Sequence, residues 1–404
     1  MAEAAMGPQP RRRAHLRPAR WIAVAGALLL GACQTVVPRG PTPRPTAEQP
    51  VQRPEAVQQP RLDSEIPRDT QRHRVALLVP LSGANRGVGQ SIANATQLAL
   101  LDTNNQQVRI TNYDTATGAA AAARRALADG AQLILGPLLA EDVRAVAPVA
   151  RAGGVPVISF SNDAGVAGNG AYLMGYLPAQ SIERVVAFSR SRGVTTFAGL
   201  VPNGLYGERA STAFLRAVEG GGGQVVSLQT YARAPGAVAQ AVTRLNAKAP
   251  YGAVLVADSV GSAAVAAPLV KRGSGAATRV LGTELWNAEA GLTARPALNG
   301  AWFASVSDTL YRQYAAKYRQ RFGAAPYRLS SLGYDAVLLT VRIARDWRIG
   351  TDFPENRLRD AGGFAGIDGA FRFRDNVAER ALEVQEVRGG TTVVVSPAPA
   401  GFDR

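Results

Sequence analysis

From residue 74 onward, short β-branched runs alternate with helical stretches, and that beat leaves few folds open to the chain. Val75–Val79, Val108–Tyr113, Leu133–Leu135 and Val155–Ser159 have the character of buried strands. Helical stretches at 89–102, 117–129 and 140–152 separate them. A second series follows, with strands near 195–201, 224–230, 253–257 and 279–282 and helices near 205–219, 236–247 and 260–271. Apolar strands joined through helices form right-handed βαβ units whose sheet is covered on both faces. Two series with one beat predict an α/β protein of two lobes, each a doubly wound parallel sheet flanked by helices. The expected division is 73–180 plus 305–347 for lobe one, 181–304 plus 348–395 for lobe two, and a tail at 396–404.

Helical spacing is clearest late in the chain. Tyr311, Tyr314, Ala315, Tyr318 and Phe322 fall on one stripe that Gly323 ends, and Tyr334, Val337, Leu338 and Val341 form another. Such stripes predict core packing. Ala370–Phe373, Ala381–Val387 and Thr391–Val395 read as strands, with a turn at Gly389 and Gly390.

The amino terminus obeys different rules. A basic segment leads into an apolar run from Trp21 to Ala32. Twelve helical residues reach about 18 Å, short of a bilayer core of about 30 Å, so the run predicts a signal segment and not a membrane span. Cys33 is the single cysteine, which excludes an intramolecular disulfide. A lone thiol in an oxidising compartment is a liability unless its sulfur is occupied. Leu30-Gly31-Ala32-Cys33 resembles the lipobox of bacterial lipoproteins. That resemblance implies a signal peptide over 1–33 and lipidation at Cys33, so that the bilayer is a partner. Gln34 resembles an outer-membrane sorting signal, which implies a lipid-anchored protein on the periplasmic face of that membrane. Residues 34–72 are rich in proline and lack hydrophobic periodicity, as expected of a disordered tether.

The formal charge is +15. A basic surface suits anionic glycolipid, wall polymer or an acidic partner. No aromatic-interleaved basic stretch or nucleic-acid motif accompanies it, which argues against nucleic acid. After cleavage His73 is the one remaining histidine, expected to be exposed at the end of the tether. A zinc site and a Ser/Cys-His triad therefore lack their residues. No serine stands three positions before Lys248, Lys271 or Lys317, so the Ser-x-x-Lys motif is absent. Gly87-Val-Gly89-Gln-Ser-Ile92 lacks the third glycine of a dinucleotide loop. Asp258 and Glu284 keep a two-carboxylate glycosidase formally open, but the reading is a non-catalytic protein without a cofactor.

Several motifs occur together in one order. Val75-Ala-Leu-Leu-Val-Pro-Leu-Ser-Gly83, Gly89-Gln-Ser-Ile-Ala-Asn94, Leu135-Gly-Pro137, Gly154-Val-Pro-Val-Ile-Ser159, Tyr206-Gly207 and Ser331-Leu-Gly-Tyr-Asp-Ala336 resemble the type I (branched-chain amino-acid) periplasmic binding proteins. Within that superfamily, Leu77 to Gly83 with Gly136-Pro-Leu-Leu139 resemble the penicillin-binding-protein activator lipoproteins. The first resemblance implies a ligand cleft at the carboxyl ends of the strands. Its candidates are Ser82, Leu138, Leu139, Ser159, Ser161 and Asn162 on lobe one, and Tyr206, Asp258, Glu284 and Trp286 on lobe two. In the amino-acid binders Tyr206 would stack and Glu284 would take an ammonium. Leu138 and Leu139 stand where hydroxyl donors are expected, which counts against a free amino acid. The second resemblance implies binding and activation of a class A penicillin-binding protein, a peptidoglycan synthase. The alternative is the substrate-binding receptor of an ABC importer for amino acids or related small polar solutes.

Overall fold

Strand β1, His73–Val79, is buried on both sides. Val75, Leu77 and Val79 enter one apolar cluster, while Ala76 and Leu78 enter another. That is the period of two expected of a strand covered by helices on each face. In the computed structural model, which describes residues 71–289, 291–399 and 401–402, β1 sits inside an eight-stranded sheet. The signal segment, Cys33 and the tether up to residue 70 lie outside the described residues.

The chain builds this first sheet through α1 (Arg86–Thr103), β2 (Val108–Asp114), α2 (Ala119–Ala128), β3 (Leu133–Leu135), α3 (Ala140–Ala152), β4 (Val157–Ser159) and β5 (Ala171–Leu173). It then crosses to a second sheet through α4 (Pro178–Ser191), β6 (Thr196–Pro202), α5 (Leu205–Gly220), β7 (Gln224–Tyr231), α6 (Ala237–Asn246), β8 (Ala253–Val256), α7 (Val260–Ser274), β9 (Arg279–Gly282) and β10 (Trp302–Ser305). Helices α8 (Thr309–Phe322) and α9 (Ser330–Ala344) return to the first lobe, where the Tyr334 hydroxyl donates to Asp102 of α1 at 2.8 Å. Strands β11 (Phe364–Gly366), β12 (Gly369–Arg374) and β13 (Val377–Arg380) complete sheet one, and β14 (Glu383–Arg388) and β15 (Thr391–Ser396) complete sheet two.

The strand orders are β11-β12-β13-β5-β4-β3-β1-β2 and β15-β14-β10-β9-β8-β6-β7. Neighbours among β1–β5 and among β6–β10 pair parallel, as the βαβ beat requires. The carboxyl-terminal strands add antiparallel pairs, so both sheets are mixed and not purely parallel.

Two expectations need correction. Segment 348–380 does not join lobe two: Val377 pairs with Leu173, and Phe364, Phe371 and Phe373 pack with Tyr172 in the first lobe's core. Burial of those three rings outweighs their nearness in sequence to β14. His73 is not exposed. It opens β1, is fully buried, and stacks on the Trp347 ring at 3.7 Å while its Nε2–H donates to the Trp347 carbonyl at 3.0 Å. Burial pushes its pKa down, against the hydrogen bond to the Trp347 carbonyl.

Each series begins with the same device. Gly89 in the first turn of α1 lies where a methyl would overlap the Pro80 carbonyl, and Gly207 in α5 stands likewise against the Pro202 carbonyl. Helix and strand end therefore approach more closely than any side chain permits.

Candidate functional site

Three passages carry the chain between the lobes: 174–177, 306–308 and 381–382. Around them lies a cavity of about 30 Å³, lined among others by Tyr176, Ser181, Glu284, Arg328 and Arg380. That is room for about two waters.

Arg328 and Arg380 are 8% and 7% exposed. Arg328 Nη1 donates to Asp368 at 2.8 Å, to Ser331 Oγ at 2.8 Å and to the Tyr176 hydroxyl at 3.2 Å. Its Nη2 lies 3.6 Å from Asp308, an ion pair too long for a hydrogen bond. The Tyr176 and Ser331 hydroxyls both donate to Asp368. Burial alone would raise Asp368, but Arg328 and Arg380 hold it below the usual carboxylate range. Asp335, buried beside Asp368 and accepting from the Ile367 N–H at 2.7 Å, is pushed up to about 8 by burial and by that neighbour. Arg380 Nη2 donates to the Met174 carbonyl at 2.6 Å, and its guanidinium lies 5.0 Å from the Tyr176 ring centre.

Several buried polar atoms here have no hydrogen-bond partner. They are Nε and Nη2 of Arg328, Nε and Nη1 of Arg380, Oε2 of Glu284 and Oγ of Ser181. Buried polar groups are ordinarily satisfied, so six orphans on four residues lining one cavity point to a ligand or water. Glu284 is pushed up to about 7 by burial, against hydrogen bonds from its own backbone and from Tyr206.

Glu284 yields a prediction about pH. Its folded value lies above the ordinary 4.5, so between pH 4.5 and 7 the folded state binds more protons than the unfolded one. Stability from this group is therefore present at low pH and lost as pH rises through about 7. Glu284→Gln should raise the Tm at pH 8 relative to the native protein and leave it nearly unchanged at pH 4. An equal shift at both values would show that Glu284 does not titrate in this range.

Of the cleft residues named from sequence, Glu284 lines this cavity and the others do not. Tyr206 is drawn towards it, its hydroxyl donating to Glu284 at 3.1 Å beside Thr283 Oγ1 at 3.0 Å. Ser82 donates to Asp114 at 2.6 Å. Leu138 packs on the first core cluster, and Leu139 precedes the first turn of α3. Ser159 Oγ donates to the Pro137 carbonyl and accepts from Ser161 N–H, while Ser161 Oγ accepts from Asp163 N–H. Those two serines fasten their own loop, and Asn162 is exposed. Asp258 accepts from Tyr231 at 2.8 Å and Ser262 at 3.0 Å. Trp286 is a correction. It is fully buried, with its indole N–H on the Asp258 carbonyl at 3.0 Å, so it is core and offers a ligand no face.

Tyr176, Arg328, Asp368 and Arg380 were not singled out from sequence, because they come from four separate segments and share no spacing. Asp163 was also missed. It bridges Arg144 at 2.9 Å and Arg209 of α5 at 2.5 Å, tying the loop after β4 to the second lobe. Among the described residues no group of His, Cys, Asp and Glu could hold a metal ion, and no helix is long and apolar enough to cross a membrane.

Known proteins share this architecture. A crystal structure from Rhodospirillum rubrum, of a protein assigned to branched-chain amino acid ABC transport, matches with a TM-score of 0.72 and 22% identity, covering 80% of this chain and all of that one. A solute binding protein of an ABC transporter from Rhodopseudomonas palustris BisB5, in complex with 3,4-dihydroxybenzoic acid, matches with a TM-score of 0.63 and 19% identity, covering 82% and 98%. An uncharacterized protein of Rickettsia prowazekii is 22% identical over 174 residues, 43% of this chain and 47% of that protein, so the match spans about half the relative's length. The family described as Periplasmic binding protein matches residues 73–391, and the chain belongs to that family.

Proposed function

We propose that this protein is the solute receptor of an ABC importer, exported to the periplasm and held there by lipid on Cys33. The supporting observation is the cavity at the lobe passages, where Arg328, Arg380, Glu284 and Ser181 present buried polar atoms without partners. A rigid protein leaves such atoms unpaired at a cost of about 1–3 kcal/mol each, and a polar solute arriving between the lobes recovers it. The Rhodopseudomonas palustris protein, of similar fold, holds a small organic molecule.

Activation of a class A penicillin-binding protein is the weaker reading. It rests on the resemblance of Leu77 to Gly83 and of Gly136-Pro-Leu-Leu139 and on the long tether, and Leu138 of that loop has a packing role against the core. Thermal unfolding of the full chain with amino acids, aromatic acids and sugars tests the choice. A cognate solute at about a hundredfold excess over its Kd should add about 2.7 kcal/mol of stability. Stabilisation by none of them, with a purified class A synthase instead captured and accelerated, would reverse the assignment.

A further inference from the structure

The receptor reading leaves open what kind of solute the cavity takes, and the charges around it narrow that. Arg328 is matched: Asp368 lies 2.8 Å from it and Asp308 3.6 Å. Arg380 is not. Among the described residues no carboxylate stands within ion-pair distance of it, and one backbone carbonyl takes one of its N–H groups. Asp368 feels the Arg380 charge from beyond ion-pair distance but is already held by Arg328, Tyr176 and Ser331, and burial with Asp368 beside it pushes Asp335 up to about 8. Aromatic faces of Tyr176 and Phe371, at 5.0 and 5.3 Å, supply partial compensation. A guanidinium 7% exposed, with Nε and Nη1 both unpartnered, nevertheless has no anion in direct contact. Both arginines flank the Tyr176 ring and line the same cavity, a planar set of donors suited to a carboxylate. The space for about two waters holds no more than such a group as the lobes stand, so a whole solute enters only when they part. Glu284 and Ser181, lining the same cavity, offer an acceptor and a hydroxyl to a second polar substituent.

We propose that Arg380, assisted by Arg328, receives the carboxylate of a small organic acid, and that Glu284 with Ser181 reads a hydroxyl or amino group on the same molecule. The carboxylate is thus read at the lobe passages and not at the loop of Leu138 and Leu139. The inference rests on the receptor reading, and its test separates the two.

Calorimetry on the full chain uses leucine, 2-hydroxy-4-methylpentanoate and 3,4-dihydroxybenzoate, each beside its carboxamide, with glucose and sodium sulfate as further ligands. At least one acid should bind, and its amide should bind about a hundredfold more weakly. Arg380→Gln should lose a similar factor, and Arg380→Lys, which keeps the charge without the fork, about tenfold. Circular dichroism checks that both variants fold. Should Arg380→Gln not fold, the acid-to-amide ratio in the native protein and the lysine variant carry the decision. Equal binding of acid and amide, or an unchanged affinity in Arg380→Gln, would overturn the carboxylate site and leave the receptor. Glucose binding without any acid would do the same, and sulfate competing as well as the acids would overturn the organic class. Silence from the whole panel overturns both readings.

Discussion

Cys33→Ala is expected to remove the protein from the outer membrane. Acyl chains contribute about 0.8 kcal/mol per buried CH₂, and two or more of them anchor a protein stably where one holds it only marginally. On the lipoprotein reading, all of that attraction enters through one sulfur and the amino group that cleavage exposes beside it. No described helix offers a substitute, since none is long and apolar enough to cross a membrane. The variant should stay unprocessed or be retained with its signal segment, absent from the outer membrane and without the added acyl mass. Mass spectrometry of the amino terminus and membrane fractionation check this together. Mature protein of unchanged mass, still sedimenting with membranes from the variant, would end the lipoprotein assignment.

The second large effect concerns the paired glycines. Gly89→Ala and Gly207→Ala each place a methyl on a backbone carbonyl, that of Pro80 or of Pro202. A flexible side chain could swing aside, but here the obstacle is the strand end itself, so the helix must move. Overpacking typically costs 1–3 kcal/mol, and a backbone obstacle puts these two at about 3 kcal/mol or more. Each should lower the Tm by roughly 5 °C or leave the protein insoluble. Gly220→Ala, where open space surrounds the added methyl, is the control and should change little. Equal behaviour of all three would show that the close approach is not under strain.

Much of this fold was legible because strands buried on both faces announce themselves. β1 from Val75 onward, β3 and β8 show uninterrupted apolar runs, and the helices between them have room for several turns. Other elements were silent. β5 follows β4 with no α-helix between to set it off, and α4 presents Ser181 and Ser189 to its buried side. Lobe membership after residue 348 was misread because pairing of Val377 with Leu173 is a tertiary fact without local trace. The site divides in the same way. Glu284 was found because it lies two positions past the end of β9, where open α/β sheets commonly meet their ligands. Arg328 and Arg380 were passed over in a chain whose 45 basic residues make any single arginine unremarked. Their burial, not their presence, is the signal, and burial is a property of the folded chain.

The three passages between lobes also dictate when this protein can fold during its own export. Sheet one begins at His73 and is closed by β13, which ends at Arg380, and α1 waits for α9, more than two hundred positions later, to cover it. A chain threaded through a membrane amino terminus first therefore emerges with β1–β5 formed in sequence but missing their cover. Lobe two has the same debt to β14 and β15. Neither half can finish alone, so apolar strand faces stay open until nearly the last residue has crossed. Contacts this distant in sequence form slowly. A chain that crosses unfolded therefore needs shielding in the periplasm for the whole of that interval.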